Sequence, residues 1–363
     1  MSNPTMLTYI QKEQAAMQRI LAAYPTAQNK ALAEIPLGDA PWLMLGIGSS
    51  YNAALSAKHY METQAGVRIA LAQPYNYLHY ERVDPALRVV LGVSQSGQST
   101  ATIAALKRFN RETFTIGVTS APGKALSLAT DTTLDIGIGH ERVGYVTLGF
   151  TATVLNLMLL GLRFGALRGR IDAVYEAQEL AEFRTLAAQL DGIVTTTTGF
   201  FCVHASDFKA ATQLTGIAYG PAVGTIKELE TKFTETVRIP SDGQELEAFM
   251  HGPYLGINPT HRLLFIQSPA EPAVAAKAQA LRAYEQKCTP HVFTLNFATP
   301  EYAGQTLNLG PVQDEDKVPF IAATAVQTLA WLTTQAKGID LAVQIFTDFA
   351  DQVHSKTEHQ NYV

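Results

Sequence analysis

The chain has few of the features that mark metal-binding, disulfide-rich, nucleic-acid-binding or membrane proteins. Its 363 residues include only two cysteines, Cys202 and Cys288. They show neither metal-binding spacing nor a disulfide framework, so we expect a reducing, cytoplasmic setting. Charged residues make up 16% of the chain, and 27 Lys and Arg against 32 Asp and Glu give a formal net charge of −5. Because no basic cluster is present, nucleic acid is not expected as a partner.

Long apolar runs are also scarce. The longest, residues 149–162, contains Thr151, Thr153 and Asn156 and is too short to span a bilayer comfortably. Residues 1–11 lack the basic flank and apolar core of a signal peptide. We therefore expect no membrane partner and interpret residues 149–162 as a buried core helix. A chain of this length, with 47% hydrophobic residues, favours two domains.

A hydroxyl-rich turn is the most informative stretch. Ser94-Gln95-Ser96-Gly97-Gln98-Ser99-Thr100 follows the apolar run 88–93, which is typical of a buried strand, and precedes residues with helical spacing, Ile103 and Leu106. A strand-to-helix junction of this kind directs unpaired backbone N–H groups and short hydroxyls at one spot, as a phosphate requires. A simple serine cap beside a glycine turn, common in α/β proteins, explains the same residues.

A second turn of this type, Gly48-Ser49-Ser50-Tyr51-Asn52, follows the predicted strand 42–47. Further strands are predicted at 67–71, 114–119 and 134–136. Strands that alternate with helices and are apolar throughout predict a parallel sheet covered on both faces. Ligands of such sheets bind beyond the carboxyl ends of the strands, where both turns lie.

The second half of the chain repeats this alternation. Strands are predicted at 214–219, 263–267 and 291–297, with helices at 225–236, 272–286 and 320–337. The fold class is therefore α/β, with two flavodoxin-like, doubly wound parallel sheets in three-layer αβα domains. The predicted division is a helical segment 1–29, a first domain 30–170, a helical connector 171–206, a second domain 207–340 and a tail 341–363. Thr195 to Gly199 are poor helix formers and predict a break within the connector.

Four motifs, in this order, resemble the double sugar isomerase (SIS) domain family, which includes the isomerase half of glucosamine-6-phosphate synthase and the fructosamine-6-phosphate deglycases. They are the turn 48–52, the turn 94–97, the segment 141–151 and His251-Gly252-Pro253. The resemblance covers nearly the whole chain. It implies that the phosphate of a sugar phosphate is bound by Ser50, Ser94, Ser96 and Ser99, with Gln95 and Ser49 nearby.

The chain departs from the family at three places, one of which is the tail, where residues 344–354 lack the Pro-Arg pair of the synthase. Gln98-Ser99 stands where Glu-Thr is common, which keeps a hydroxyl and removes a carboxylate. Val146 and Leu148 stand where the synthase has a serine and a lysine, so sugar contacts of the synthase type are not expected there.

The same resemblance assigns the chemistry to the second half of the chain and to the tail. Lys232-Phe233-Thr234-Glu235-Thr236 is similar to the helix that supplies a catalytic lysine and glutamate, and Glu235 precedes His251 by the family's 16 residues. Glu235 is then the proton shuttle, His251 the acid or base that opens the sugar ring, and Lys356 of the tail the Schiff-base former or oxyanion stabiliser. Lys232 shares a helical face with Glu235. Without the resemblance, an exposed ion pair, a solvated histidine and a disordered tail would explain these residues.

The resemblance implies a phosphosugar isomerase or deglycase that needs neither a metal nor an organic cofactor. The favoured reaction is that of a fructosamine-6-phosphate-type deglycase, which releases an amine and a hexose 6-phosphate. The alternatives are an aminosugar-phosphate isomerase/deaminase, an ammonia-using isomerase of the synthase type, and a non-catalytic sugar-phosphate sensor. Residue 2 is Ser2, not the nucleophilic cysteine of the synthase's glutaminase part, so we expect no glutamine-derived ammonia. A homodimer or higher homo-oligomer, with His251 completing a neighbour's site, is also implied.

Overall fold

A computed structural model of the chain describes residues 3–109 and 111–363; Met1, Ser2 and Asn110 lie outside this part. The chain divides into two compact units, Met1–Gln189 with Ala342–Val363, and Leu190–Leu341. The predicted connector 171–206 is thus shared between the units, and the predicted tail 341–363 belongs almost entirely to the first.

The first unit contains one five-stranded sheet in which every pair of neighbouring strands is parallel. Its order is β2-β1-β3-β4-β5, the flavodoxin-like order predicted from the sequence. Strands β1 and β3 are buried along their whole length, which explains why their sequences are uninterrupted apolar runs. The strands are β1 (Trp42–Leu45), β2 (Ile69–Ala72), β3 (Val89–Val93), β4 (Phe114–Thr119) and β5 (Thr132–Asp135).

Helices cover the sheet of the first unit. The longest, α8, is the predicted apolar helix, and the ring of Phe164 on it packs against Trp42 of β1 with 4.7 Å between ring centroids. Gly161 lets α8 lie close to α4, because a Cβ there would approach the Met61 Cα to 2.8 Å. The helices are α1 (Met6–Ile10), α2 (Glu13–Ala23), α3 (Thr26–Ala31), α4 (Ser49–Ala65), α5 (Pro74–Tyr80), α6 (Thr100–Leu106), α7 (Ala125–Leu128), α8 (Leu148–Leu167) and α9 (Ala173–Ala187), with α15 (Phe349–Gln352) in the C-terminal segment.

The second unit contains a second all-parallel, five-stranded sheet, of order β10-β9-β8-β6-β7. If the strands of each unit are numbered in chain order, both sheets have the same order, with the second strand at one edge beside the first. The predicted strands at 214–219, 263–267 and 291–297 are confirmed, whereas β7 and β10 were not predicted. The strands are β6 (Leu214–Ala218), β7 (Ser241–Glu245), β8 (Arg262–Gln267), β9 (Val292–Asn296) and β10 (Thr306–Asn308).

The helices of the second unit correct one prediction. No break occurs at 195–199; α10 continues to Ala210, with non-helical dihedral angles only at His204. The threonines are accommodated because the hydroxyls of Thr195, Thr196 and Thr198 donate to the carbonyls four residues earlier, at 2.7–3.0 Å. The helices are α10 (Leu190–Ala210), α11 (Val223–Lys232), α12 (Leu246–Met250), α13 (Pro272–Glu285) and α14 (Val318–Ala336).

Two helical stretches, Leu148–Leu167 and Ala173–Ala210, reach the length and hydropathy of a membrane span. The core helix of a globular protein passes the same test, and 83% of the first stretch is buried inside the protein. This agrees with the prediction of a buried core helix.

Candidate functional site

The two serine-containing turns lie at the carboxyl ends of adjacent strands of the first sheet. β1 leads through Ile47 and Gly48 into α4, which begins at Ser49, and β3 leads through residues 94–98 into Ser99, the N-cap of α6. Gly48 has a φ of 55°, a backbone conformation that suits glycine. Since β1 and β3 are hydrogen-bonded neighbours, the turns that follow them are brought together.

The turn after β3 is held by its own hydrogen bonds and by the neighbouring strand end. The Gly97 N–H donates to the Ser94 carbonyl at 2.9 Å, and Gly97 has a φ of 67°. The Gln95 carbonyl accepts from the backbone N–H and hydroxyl of Ser120, at 3.0 and 2.9 Å. The Ser99 hydroxyl accepts from Thr102 and thereby caps α6. The turn is therefore fixed by hydrogen bonds of its backbone and of the Ser99 and Ser120 hydroxyls.

A cavity of about 230 Å³ opens between the two turns. All six residues predicted to bind phosphate line this cavity, together with Lys356 of the tail. The rest of the lining consists mainly of apolar and glycine residues. The predicted residues in the lining are Ser49, Ser50, Ser94, Gln95, Ser96, Ser99 and Lys356. The others are Ile47, Val93, Gly144, Val146, Gly149, Phe150, Thr153 and Tyr362.

The C-terminal segment is tied to the second turn through the backbone. Lys356 forms an antiparallel bridge with Ser99, and the Thr357 N–H donates to the Gln98 carbonyl at 3.0 Å. The Lys356 ammonium donates to the Ser96 hydroxyl at 3.2 Å. Burial lowers the pKa of Lys356, because the charged form is poorly solvated there. The tail thus places one cation among the serine hydroxyls.

Gln98, one of the departures from the family, has its side chain engaged by the tail. It is buried, and its Oε1 accepts a hydrogen bond from the Gln360 amide at 2.5 Å. An amide at position 98 therefore fastens the tail without placing a negative charge beside the cavity.

A buried three-residue charge cluster lies in the second unit, at the end of α11. Lys232 is fully buried and forms ion pairs with Glu228, at 3.1 Å, and with Glu235, whose side chain is 31% exposed. Burial alone would lower the pKa of Lys232, but attraction to both carboxylates outweighs it and raises that pKa. The lysine is therefore held charged, and Glu235 is the partner that reaches solvent.

Sequence reasoning predicted the Lys232–Glu235 pair but missed Glu228. The only available signal was its position four residues before Lys232, which is also typical of an exposed helical ion pair. Glu235 lies in a π-helical turn, Phe233–Val237, that follows α11 without interruption. Such turns are rare and are frequent at functional sites.

His251 lies at the end of α12, at the surface of the second unit. Its side chain is 73% exposed, and its Nε2 lies 3.2 Å from a carboxylate oxygen of Glu247. Tyr254 and Leu255, in the short 3₁₀ turn that follows, are also exposed. The predicted histidine is thus accessible from outside this unit.

The second unit lacks a serine-lined counterpart of the first turn. After β6, which has the place of β1, the chain continues as Tyr219 and a 3₁₀ turn, Gly220–Ala222. The Tyr219 hydroxyl donates to the Ser268 carbonyl, beyond the end of β8, at 2.7 Å. Burial raises the pKa of Tyr219, so the hydroxyl keeps the proton that it donates. In the second unit a tyrosine therefore joins the ends of β6 and β8, whereas in the first unit the corresponding ends of β1 and β3 border a cavity.

The structure brings the predicted phosphate-binding residues together with Lys356 in the first unit, and pairs Lys232 with Glu235 in the second. His251 contacts Glu247, which sequence reasoning did not single out. Within the described residues, no group of three or more His, Cys, Asp or Glu side chains is arranged to hold a metal ion.

Comparison with known proteins identifies relatives that match most of the chain. No protein-family model matches it. The glutamine–fructose-6-phosphate aminotransferase (isomerizing) of Gloeobacter violaceus is 27% identical over 305 residues, which are 82% of this chain and 49% of that enzyme. The chain therefore spans about half the length of the curated relatives that it matches.

Solved structures share the fold of the whole chain. A protein of Clostridium difficile 630, provisionally assigned as a phosphosugar isomerase, superposes with a TM-score of 0.86 at 21% identity, covering 98% of this chain and 99% of that one. The glucosamine-6-phosphate deaminase of Thermotoga maritima gives 0.73 at 18% identity, covering 93% and 96%. The chain is therefore similar in sequence to the isomerising aminotransferases and shares the fold of these solved structures, in agreement with its resemblance to the double sugar isomerase (SIS) domain family.

Proposed function

We propose that this protein is a sugar-phosphate enzyme that acts on ketosamine or amino-sugar 6-phosphates, and that its reaction is that of a deglycase. The observation that carries the proposal is the cavity of the first unit, where serine hydroxyls from two turns converge with the Lys356 ammonium. Hydroxyls and an ammonium are the donors that a phosphate dianion binds. The relatives add support, because an isomerising aminotransferase and a glucosamine-6-phosphate deaminase both act on hexose phosphates.

The reaction proposed is an aldose-ketose type proton transfer followed by hydrolysis. After ring opening, a base removes a proton from C1 of the ketosamine, and an enolamine forms. Return of the proton to C2 gives an imine at C1, and water hydrolyses that imine to a hexose 6-phosphate and a free amine. We assign the proton transfer to Glu235 and the ring opening to His251. Lys232 stays charged and forms an ion pair with Glu235.

Two other reactions use the same groups. An isomerase/deaminase would convert glucosamine 6-phosphate and water to fructose 6-phosphate and ammonia. An ammonia-using isomerase of the synthase type would run this conversion in reverse. The deglycase is favoured because the cavity lining carries Val146, whose side chain cannot bond a sugar hydroxyl as the synthase's serine does.

The proposal is tested by incubating the protein with fructosamine 6-phosphates that carry different amines and measuring glucose 6-phosphate with a coupled dehydrogenase. Glucosamine 6-phosphate, followed by ammonia release, tests the deaminase. Turnover of at least one ketosamine 6-phosphate is expected. A protein that turns over none of these compounds, while a hexose 6-phosphate still raises its melting temperature, would instead be a non-catalytic sensor.

Glu235→Gln separates the proposed chemistry from binding. It should lower kcat by at least about a hundredfold, the lower end of general-base contributions, and leave the affinity for a hexose 6-phosphate within about twofold. The matched control is Glu230→Gln, which makes the same change on α11 at a half-buried glutamate paired with Lys227 at 3.0 Å. Equal loss of binding and turnover in the Glu235 variant would exclude its role as the base.

We further propose that the active form is a cytoplasmic homodimer in which His251 acts in the neighbour's site. The exposure of His251, beside the exposed Leu255, supports this arrangement. Glu235→Gln and His251→Asn should each be inactive alone, and mixing them should restore activity, because hybrid dimers would contain one intact site. No recovery after subunit exchange would place both groups in the same subunit's site.

A further inference from the structure

We infer that Glu141 positions the wall of the cavity that faces the sugar, and so determines how strongly a hexose 6-phosphate is preferred over bare phosphate. The inference rests on the proposed function, since it assigns the serine turns to the phosphate. If the phosphate lies among the serines and Lys356, the remainder of the ligand must contact the rest of the cavity lining. One wall of it, residues 144–150, contributes Gly144, Val146, Gly149 and Phe150.

Glu141 is buried, with 3% of its surface exposed, and both of its carboxylate oxygens hold this segment. Its Oε1 accepts from the backbone N–H and the hydroxyl of Thr147, at 2.9 and 2.6 Å. Its Oε2 accepts from the Gly149 N–H at 3.0 Å. Thr147 is the N-cap of α8 and makes no capping bond with its own side chain, so the carboxylate takes that role from six residues earlier.

Gly149 is where this wall meets the serine turn. A Cβ at this position would lie 2.8 Å from the Gln95 Cγ, 3.0 Å from a Glu141 oxygen and 3.0 Å from the Val146 Cγ1. The wall is therefore packed directly against the turn at Gly149, and the Glu141 carboxylate lies at this contact. The backbone of Arg142 is also held from both sides, by the Tyr9 hydroxyl at 2.8 Å and the Val363 N–H at 3.0 Å.

Glutamine at position 141 would keep the volume but not the bonding. Its single carbonyl oxygen can replace only one of the two carboxylate oxygens, and its NH₂ group would then face either the Gly149 N–H or the Thr147 N–H. The segment must shift to relieve that contact. The turn 94–99 has anchors of its own, since its backbone bonds within the turn, to residues 118–126 and to the tail.

The test measures the dissociation constants of inorganic phosphate and of glucose 6-phosphate by calorimetry for the wild type and Glu141→Gln. We expect the variant to bind glucose 6-phosphate about tenfold more weakly, the equivalent of one or two lost hydrogen bonds, and inorganic phosphate within about twofold of the wild type. Thr147→Val, which removes one of the three bonds, should show a smaller change in the same direction. If Glu141→Gln does not fold, Thr147→Val carries the test.

The matched control is Glu179→Gln, a buried carboxylate of the same unit that accepts from the Tyr60 hydroxyl at 2.6 Å and does not line the cavity. It should lower the melting temperature without changing the ratio of the two dissociation constants. An unchanged ratio in Glu141→Gln would overturn the positioning role, as would an equal loss for both ligands. A wild type with no preference for glucose 6-phosphate over phosphate would overturn the proposed function itself.

Discussion

Replacement of Lys356 by methionine is expected to weaken the binding of a phosphate-bearing ligand more than any other single change in the tail. The Lys356 ammonium is the one cation among the described residues that line the cavity, and it lies 3.2 Å from the Ser96 hydroxyl. Methionine keeps much of the side-chain length, and the bridge of residue 356 to Ser99 is made by the backbone. The variant therefore removes the charge and leaves the tail in place.

The expected size of the effect follows from the surroundings of the ammonium. A hydrogen bond to a charged group contributes about 1.5–3 kcal/mol, and an ion pair at about 4 Å with an effective dielectric constant of about 20 contributes about 4 kcal/mol. Because the cavity is open to solvent, the lower range is the better guide. At about 1.4 kcal/mol for each factor of ten, the dissociation constant of a hexose 6-phosphate should rise between about tenfold and a hundredfold.

The pH dependence has a defined sign. Burial lowers the pKa of Lys356, so the ammonium is lost at a lower pH than that of an exposed lysine, whose pKa is about 10.4. Affinity for the phosphate should therefore fall as the pH rises through this lowered pKa, and binding above it should take up a proton. In the free protein, stability should rise with pH over the same window, because the unfolded chain there binds more protons.

The assay is calorimetric titration with glucose 6-phosphate in two buffers of different ionisation enthalpy, at neutral and alkaline pH. Lys124→Met is the matched control, since Lys124 also contacts the tail, at 2.8 Å from Glu358, but is exposed. It should change the dissociation constant by less than about fivefold, as an exposed ion pair is worth at most about 1 kcal/mol. Affinity within threefold of the wild type in Lys356→Met, without loss of proton uptake, would refute the reasoning.

Two further changes test other parts of the structure. Glu285 is fully buried, and neither of its oxygens has a hydrogen-bond partner among the described residues. Burial raises the pKa of Glu285, so its ionisation opposes folding as the pH rises. Glu285→Gln should therefore raise the free energy of unfolding, measured with urea, by about 1–3 kcal/mol at pH 8 but little at pH 4. A lower free energy of unfolding at pH 8 would contradict this. Gln98→Glu keeps an acceptor for Gln360 but adds a negative charge beside the cavity. It should weaken glucose 6-phosphate binding about fivefold, and added salt should reduce this effect. Unchanged affinity would place the phosphate elsewhere.

The sequence predicts the sheets well wherever a strand is buried on both faces. β1 and β3 are apolar throughout, and β8 is apolar between Arg262 and Gln267, because helices cover both sides of the sheet. β7 could not be predicted in this way. Its sequence, Ser-Asp-Gly-Gln-Glu, has no apolar pattern, and it is a strand because it pairs with β6 at the edge of the sheet. The hydrogen bonds to β6 therefore determine this strand, and its own residues give no sign of it.

The candidate site shows a similar limit. The serine turns could be found from the sequence, since strand, glycine, hydroxyls and helix follow one another along a few residues. The place of Lys356 could be expected only from a resemblance to known proteins, because the tail is attached by backbone hydrogen bonds that leave no side-chain pattern. Glu228 was missed because a glutamate four residues before a lysine is ordinary on an exposed helix, and only the structure shows that both are fully buried.

The tyrosine that joins the strand ends of the second unit has a consequence for the stoichiometry of ligand binding. Two sheets of the same strand order offer two places, beyond the ends of their strands, where an anion could bind. In the second unit the Tyr219 hydroxyl bonds to the Ser268 carbonyl at this place, whereas in the first unit serine hydroxyls and the Lys356 ammonium line a cavity. A titration with glucose 6-phosphate should therefore saturate at one molecule per chain.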